Sequence, residues 1–150
     1  MVSRSEEDYL ESIFNCVGGS GHASTKEIAD DLGVSAPSVT EMFQKLESEG
    51  YISYRKYKGV ELTDEGERIA RSVKSTHDNI RKLLRILQVP EDKADEDACE
   101  IEHKLSDETV IQLEKFVRFI EMCPRDEPDW VDHFKEFSRS GEFLGECDEI

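Results

Sequence analysis

The region from residue 24 to residue 62 constrains the fold of this chain more than any other part of its sequence. Ser24 and Glu27 have the spacing of a helix capping box, and Gly33 suits the left-handed residue that ends a helix. Ser35 then caps a second amphipathic helix after only one intervening residue. Two short helices joined by so tight a turn predict a helix-turn-helix.

A β-hairpin is predicted directly after these two helices. Residues 51–55 and 60–62 have the composition of strands, and a turn containing Gly59 separates them. Thr63 then caps a long helix, whose apolar positions continue to about Gln88. The hairpin therefore has the position of the wing in a winged helix-turn-helix.

Apolar residues at helical spacing predict further helices on both sides of this region. They cover residues 5–16, residues 92–103 and a stretch that begins at Ser106 and ends at Cys123 and Pro124. The residues that follow form an acidic tail with scattered aromatic side chains. The predicted fold class is mostly α, with a winged helix-turn-helix at the N-terminus and helices after it.

Net charge argues at first against a nucleic-acid partner. The chain has 150 residues and a formal charge of −16, whereas DNA affinity comes largely from Lys and Arg meeting phosphate. The charge is uneven, with −6 on residues 1–72 and −10 on residues 73–150. The densest basic cluster is Arg55, Lys56 and Lys58 in the predicted wing, and a local patch can bind phosphate on an acidic molecule.

We therefore predict that the winged helix binds DNA through its second helix and its wing. Hydroxyl, amide and cationic side chains at these positions suit phosphates and base edges. The alternative is a winged helix that binds protein. The predicted DNA contacts are Ser35, Pro37, Ser38, Thr40, Gln44, Lys45, Arg55, Lys56 and Lys58.

The sequence favours a reducing compartment, as judged from its apolar runs, its first residues and the spacing of its cysteines. The sequence has no apolar run of about 18 residues and no signal-peptide layout, so we expect a cytoplasmic protein that is not in the membrane. The four cysteines are widely spaced and form no C-x-x-C pair, so a disulfide framework is not expected. Cys16 lies in an apolar stretch and is predicted to pack in the core.

Candidate metal ligands occur in two short segments of the sequence, and a histidine on the long helix is a further candidate. Cys99, Glu102 and His103 have i, i+3 and i+4 spacing, which places a thiol, a carboxylate and an imidazole on one side of a helix. Asp8 and Glu11 lie three residues apart on the first helix, and His77 lies on the long helix. Taken singly, the acidic residues are typical of a solvated surface and the histidine of a core. Mixed sulfur, nitrogen and oxygen ligands indicate a transition metal.

Four motifs carry a resemblance to a known family. The chain resembles the diphtheria toxin repressor family of metal-dependent transcriptional repressors over about residues 4–122. The resemblance implies a homodimer, a winged helix, a helical dimerisation domain and Fe²⁺ or Mn²⁺ as co-repressor. The motifs are EDYLE at 7–11, SAPSVT at 35–40, GVELT at 59–63 and DACEIEHKLSD at 97–107.

The resemblance also implies a ligand set. The primary site would consist of Asp8, Cys99, Glu102 and His103. This set mixes two branches, because Asp8 is typical of the manganese branch and Cys99 of the iron branch. The thiol favours Fe²⁺, and Mn²⁺ stays open. Second-site ligands of the manganese branch match Glu11 and His77.

In the second site of the iron branch, a glutamate is expected near the position of Arg81 and a histidine near the position of Asp95. Arg81 is a cation and cannot ligate a metal, whereas the carboxylate of Asp95 can. The domains predicted with this resemblance are 1–72 for DNA binding, 73–122 for metal binding and dimerisation, and 123–150 as an acidic extension. The extension is too short for the SH3-like domain of many iron-branch members.

The predicted function is a repressor of metal-homeostasis genes with Fe²⁺ or Mn²⁺ as co-repressor. The alternatives are a manganese-specific regulator and a winged-helix regulator that senses a non-metal ligand. An enzyme is not expected, since we see no separate general base beside the candidate ligands.

Overall fold

The structure is a computed structural model that describes residues 2–18, 21–124 and 128–142. These residues contain seven α-helices, a short 3-10 helix and a two-stranded antiparallel sheet, which confirms the predicted fold class. In chain order the elements are α1 (Arg4–Val17), α2 (Thr25–Leu32), α3 (Ala36–Ser48), β1 (Ile52–Arg55), β2 (Gly59–Leu62), α4 (Asp64–Ile86), α5 (Glu91–Ile101), the 3-10 helix (Glu102–Lys104), α6 (Asp107–Glu121) and α7 (Asp129–Ser140).

The chain divides into two compact units, Met1–Ser75 and Thr76–Ile150. Compactness alone does not show that either unit folds independently, so the domain limits 1–72, 73–122 and 123–150 stay a prediction. Within the described ranges, no helix is both long enough and apolar enough to cross a membrane.

The first unit is built around the apolar faces of three helices and the hairpin. Tyr9, Leu10 and Ile13 of α1 have helical spacing and are all buried. Cys16 is partly buried and packs against the same core, as the sequence predicted. The other buried members of this core are Ala23, Ile28, Ala29, Val39, Phe43, Leu46, Ile52, Val60 and Ala70.

The wing is fixed to the rest of the first unit by its backbone and by one aromatic contact. Val60 of β2 faces Tyr54 of β1 and also pairs with Ala23 before α2. Gly59 has a φ of +99°, and a Cβ there would lie 2.6 Å from the Ala23 carbonyl oxygen, so only glycine fits. The Tyr54 ring packs on Phe43 of α3, with ring centroids 5.3 Å apart. The hairpin is therefore anchored to the second helix of the helix-turn-helix.

The second unit contains a helix that the sequence did not lead us to expect. The predicted acidic tail includes α7, in which Val131 is buried and Trp130 lies against Phe116 of α6, with ring centroids 6.1 Å apart. The positions of Trp130, Val131 and Phe134 have helical spacing, which was the available signal. Cys147, the last of the four cysteines, lies outside the described residues.

Candidate metal centre

A cluster of metal-ligating atoms lies within the second unit. His77 of α4 has Nδ1 2.9 Å from Glu102 Oε2 and 3.8 Å from Cys99 Sγ. One ligand atom from each of these three residues lies within 4.8 Å of the others. The structure therefore brings an imidazole from α4, a thiol from α5 and a carboxylate from the 3-10 helix to one point.

Glu102 is buried between two imidazoles. Its side chain is 3% exposed, with Oε1 3.1 Å from Nε2 of His103 and Oε2 facing His77. A carboxylate is costly to bury unless cations or hydrogen-bond donors meet it. The two histidines meet the two oxygens, so Glu102 lies at the centre of the cluster.

Asp95 joins the cluster from the other side of His77. Its Oδ1 lies 3.0 Å from His77 Nε2 and 3.9 Å from Nη1 of Arg81. The sequence indicated Asp95 only as a residue able to ligate in a second site, although i, i+4 spacing from Cys99 places both residues on one face of α5. That spacing was the signal by which the sequence could have shown it.

The backbone beneath the cluster differs from the prediction. We expected one helix over residues 92–103, but α5 ends at Ile101 and Glu102 and His103 lie in the 3-10 helix. The tighter winding changes where side chains point, because a 3-10 helix has about three residues per turn. The i, i+3, i+4 argument therefore does not by itself place His103.

Donor chemistry in the second unit fits a transition metal. Two carboxylates and a thiol surround the ring nitrogens of His77. Sulfur, nitrogen and oxygen donors together suit a first-row transition metal.

Asp8 and Glu11 lie on α1, in the first unit. Positions three residues apart share a helix face, and this face is opposite the one that carries Tyr9, Leu10 and Ile13. The other four predicted ligands lie in the second unit, and the distances given above concern that unit. They are His77, Cys99, Glu102 and His103. The participation of Asp8 and Glu11 stays a prediction.

The predicted DNA contacts at the start of α3 are partly engaged with one another. Ser35 caps the helix by accepting a hydrogen bond from the Ser38 backbone N–H, and the two hydroxyl oxygens are 2.8 Å apart. Thr40 donates to the carbonyl of Ala36 at 3.1 Å. Pro37 and Gln44 are exposed on the same helix, which we call the recognition helix.

The basic side chains of the wing form no ion pairs within the described residues. In the part of the chain that the structure describes, no ion pair holds Arg55, Lys56 or Lys58. Tyr57 is 95% exposed at the tip, with the Lys56 ammonium 5.7 Å from its ring centroid. These three cations are available to an anionic partner.

Lys45 differs from the wing cations. Its ammonium group forms an ion pair with Oε1 of Glu6, which is buried on α1 with 3% of its side chain exposed. The hydrogen bond from Lys45, together with one from the Ser3 backbone, lowers the pKa of Glu6 to about 2. The pair is therefore charged at neutral pH.

Comparison with known proteins identifies both halves of the chain. Residues 1–60 match the N-terminal DNA-binding domain of the iron-dependent repressors, and residues 63–131 match the metal-binding and dimerisation domain of the same family. The transcriptional regulator MntR of Bacillus pumilus is 37% identical over 121 residues, which are 81% of this chain and 84% of that protein.

Solved structures agree with these matches. The manganese regulator SloR is 35% identical with a TM-score of 0.68, over 83% of this chain and 58% of SloR. IdeR of T. acidophilum is 30% identical with a TM-score of 0.68, over 85% of this chain and 60% of that one. The chain therefore belongs to the iron-dependent repressor family indicated by its motifs, and it is a metal-dependent, DNA-binding transcriptional regulator and not an enzyme.

Proposed function

We propose that Fe²⁺ is the co-repressor of this protein and that the loaded homodimer represses metal-homeostasis genes. The primary ligands are Asp8, Cys99, Glu102 and His103, and the second-site ligands are Glu11 and His77. The observation that carries this proposal is the buried Glu102 carboxylate, whose two oxygens face two imidazoles beside a thiol.

A divalent cation bound here would neutralise clustered acidic groups and hold their elements together. The chain's own residues contribute the selectivity and the orientation. Glu102 lies between His77 and His103, and Asp95, which is 3.9 Å from Arg81, contacts the opposite nitrogen of His77. Such outer partners orient metal-ligating histidines and tune their basicity.

Cys99 supports Fe²⁺ over Mn²⁺. A thiolate is a softer donor than a carboxylate, and hard oxygen donors suit Mn²⁺ better. Manganese is the second candidate, because the similar SloR structure is that of a manganese regulator. Fe²⁺ is therefore the preferred metal in this proposal, and Cys99 is the origin of the preference.

DNA binding would use the recognition helix and the wing. Arg55, Lys56 and Lys58 supply the cationic groups, and the dimer sets the separation of two recognition helices. Dimeric helix-turn-helix proteins read half-sites about one helical turn apart, so an incorrect separation costs affinity. A ligand favours DNA binding only if it binds the DNA-competent state more tightly.

The test measures DNA affinity and metal affinity together. An operator is first selected from random-sequence DNA with the wild-type protein and Mn²⁺ or Fe²⁺ under anaerobic conditions. Metal is expected to tighten binding of this operator by about tenfold or more, as is usual for an allosteric coupling of 1–3 kcal/mol. His103→Ala abolishes that gain, and the exposed neighbour Glu100→Gln keeps it.

Metal preference is read in the same titration. Cys99→Glu replaces the thiol with a carboxylate and is expected to shift the preference from Fe²⁺ toward Mn²⁺ by about tenfold. Equal DNA binding with and without either metal would contradict the proposed function, and an unchanged preference in Cys99→Glu would contradict the role of the thiol.

A further inference from the structure

Glu6 uses its two carboxylate oxygens for two different purposes. Oε2 accepts a hydrogen bond of 2.6 Å from the Ser3 backbone N–H, and Ser3 Oγ accepts one from the Glu6 backbone in return. This capping box works equally well with a neutral Gln, so it does not require the charge of Glu6. The charge is used by Oε1, which meets Lys45 of the recognition helix.

The ion pair joins α1 to the recognition helix beside a set of apolar contacts. Tyr9, Leu10 and Ile13 lie on the same face of α1 as Glu6 and pack into the core. Apolar contacts permit small rotations and shifts, whereas an ion pair with one buried partner is directional and can fix one register between two helices.

A second polar contact ties α1 to the neighbouring helix. The hydroxyl of Ser12, which is buried, donates to Asp31 Oδ2 of α2 at 2.5 Å. Polar contacts thus link the first helix to both helices of the helix-turn-helix. Its opposite face carries Asp8 and Glu11.

We propose that the Glu6–Lys45 ion pair transmits the orientation of α1 to the recognition helix, so that Lys45 is a positioning residue and not a phosphate contact. This inference rests on the proposed function, because it takes Asp8 and Glu11 of α1 as metal ligands. The helix of 14 residues carries the ligand face and the ion pair on one rigid element. Whatever fixes α1 then fixes the recognition helix through Lys45.

The sequence alone favoured a different role for Lys45. An exposed lysine on a recognition helix is a natural phosphate contact. The structure shows its ammonium group directed at a buried carboxylate, although half of the side chain, 51%, is exposed. In the described part of the chain, the wing cations have no carboxylate partner. Lys45 therefore differs from them, because its charge is already paired within the protein.

The experiment compares four substitutions by fluorescence anisotropy of the selected operator, with and without Fe²⁺ under anaerobic conditions. Glu6→Gln removes the charge and keeps the capping box, and Lys45→Met removes the charge at similar length. Lys45→Arg restores a cation. Ser3→Ala is the matched control, because it weakens the cap of α1 and leaves the ion pair.

Glu6→Gln and Lys45→Met are expected to lose about five- to tenfold of the metal-induced gain in DNA affinity, the usual size for a coupling residue. The affinity without metal stays unchanged, and the double variant loses no more than either single one. Lys45→Arg and Ser3→Ala keep the gain. Circular dichroism and thermal unfolding check the fold of each variant, so a purely structural role shows as a lower Tm with an unchanged gain.

Three results would overturn the inference. In the first, Glu6→Gln keeps the full gain. In the second, Lys45→Met weakens binding equally with and without Fe²⁺ and reduces the slope of log K against log salt by about one, as loss of a phosphate contact does. In the third, the wild-type protein shows no gain from metal, which overturns the proposed function as well and is thereby distinguished from the first two.

Discussion

The two compact units are stabilised in different ways. In the first unit, large side chains are fully buried, among them Phe43, Leu10 and Ile13. Among the described residues, the buried apolar side chains of the second unit are fewer and smaller, and two of them belong to Ala94 and Ala98. The first unit therefore has a large apolar core of its own, whereas the second unit buries little apolar surface within itself.

The apolar side chains missing from the core of the second unit lie on its surface. Solitary exposed apolar residues are ordinary, but a group of large ones on neighbouring helices marks an interaction surface. This unit matches the dimerisation domain of the family, so a second copy of the chain is the expected occupant. The exposed residues are Leu87, Ile111, Phe116, Phe119, Met122, Trp130 and Phe137.

The largest expected effect tests the core of the first unit. Phe43→Ala is expected to lower the free energy of unfolding by about 3–5 kcal/mol, because it leaves a cavity among well-packed neighbours. Val117→Ala in the second unit is expected to cost about 1–3 kcal/mol. Urea unfolding at one fixed protein concentration measures both. A smaller loss for Phe43→Ala than for Val117→Ala would remove the difference between the units.

The next effect tests the exposed surface of the second unit. Phe119→Glu places a charge on this surface and is expected to weaken the dimer by about tenfold or more, as loss of an interface aromatic commonly does. Tyr57→Glu is the matched control, because Tyr57 is exposed on the first unit and should leave association unchanged. Sedimentation equilibrium gives both dissociation constants. Equal dissociation constants for Phe119→Glu and the wild type would place the dimer contact elsewhere.

The fold could be predicted where local signals agree with one another. The caps at Ser24 and Ser35 and the left-handed Gly33 are readable from residue type, and the structure has each of them. The tail around α7 was harder, because acidic residues masked a short apolar face. Val131 is buried only through tertiary packing, which the local sequence does not show.

The candidate site could be predicted in composition but not in geometry. Cys99, Glu102 and His103 were identified by spacing, yet the change from α5 to a 3-10 helix beneath them has no clear local signal. Asp95 was named only as a possible second-site ligand, and its contact with His77 follows from the packing of α4 and α5. The partner of Lys45 was also invisible, because Glu6 is far away in sequence.

The smallest expected effect compares one cysteine from each unit. Burial, and then the negative charges of Asp31 and Glu27, raise the pKa of Cys16 above its ordinary value of 9.0, whereas Cys99 is exposed. The thiolate is the reactive form, so iodoacetamide should modify Cys16 more slowly than Cys99 in metal-free protein at pH 8.

The pH dependence gives the sign of this effect. A raised pKa means that the folded state favours the neutral thiol, so the stability that this provides is present below pH 9.0 and is lost as the pH rises through the folded pKa. The modification rate of Cys16 should therefore still be climbing above pH 9.0, as followed by peptide mass mapping. In urea the two rates should become similar, and added Mn²⁺ should slow only Cys99. Slowing of Cys16 by metal as well would show that the two units do not respond separately at these thiols.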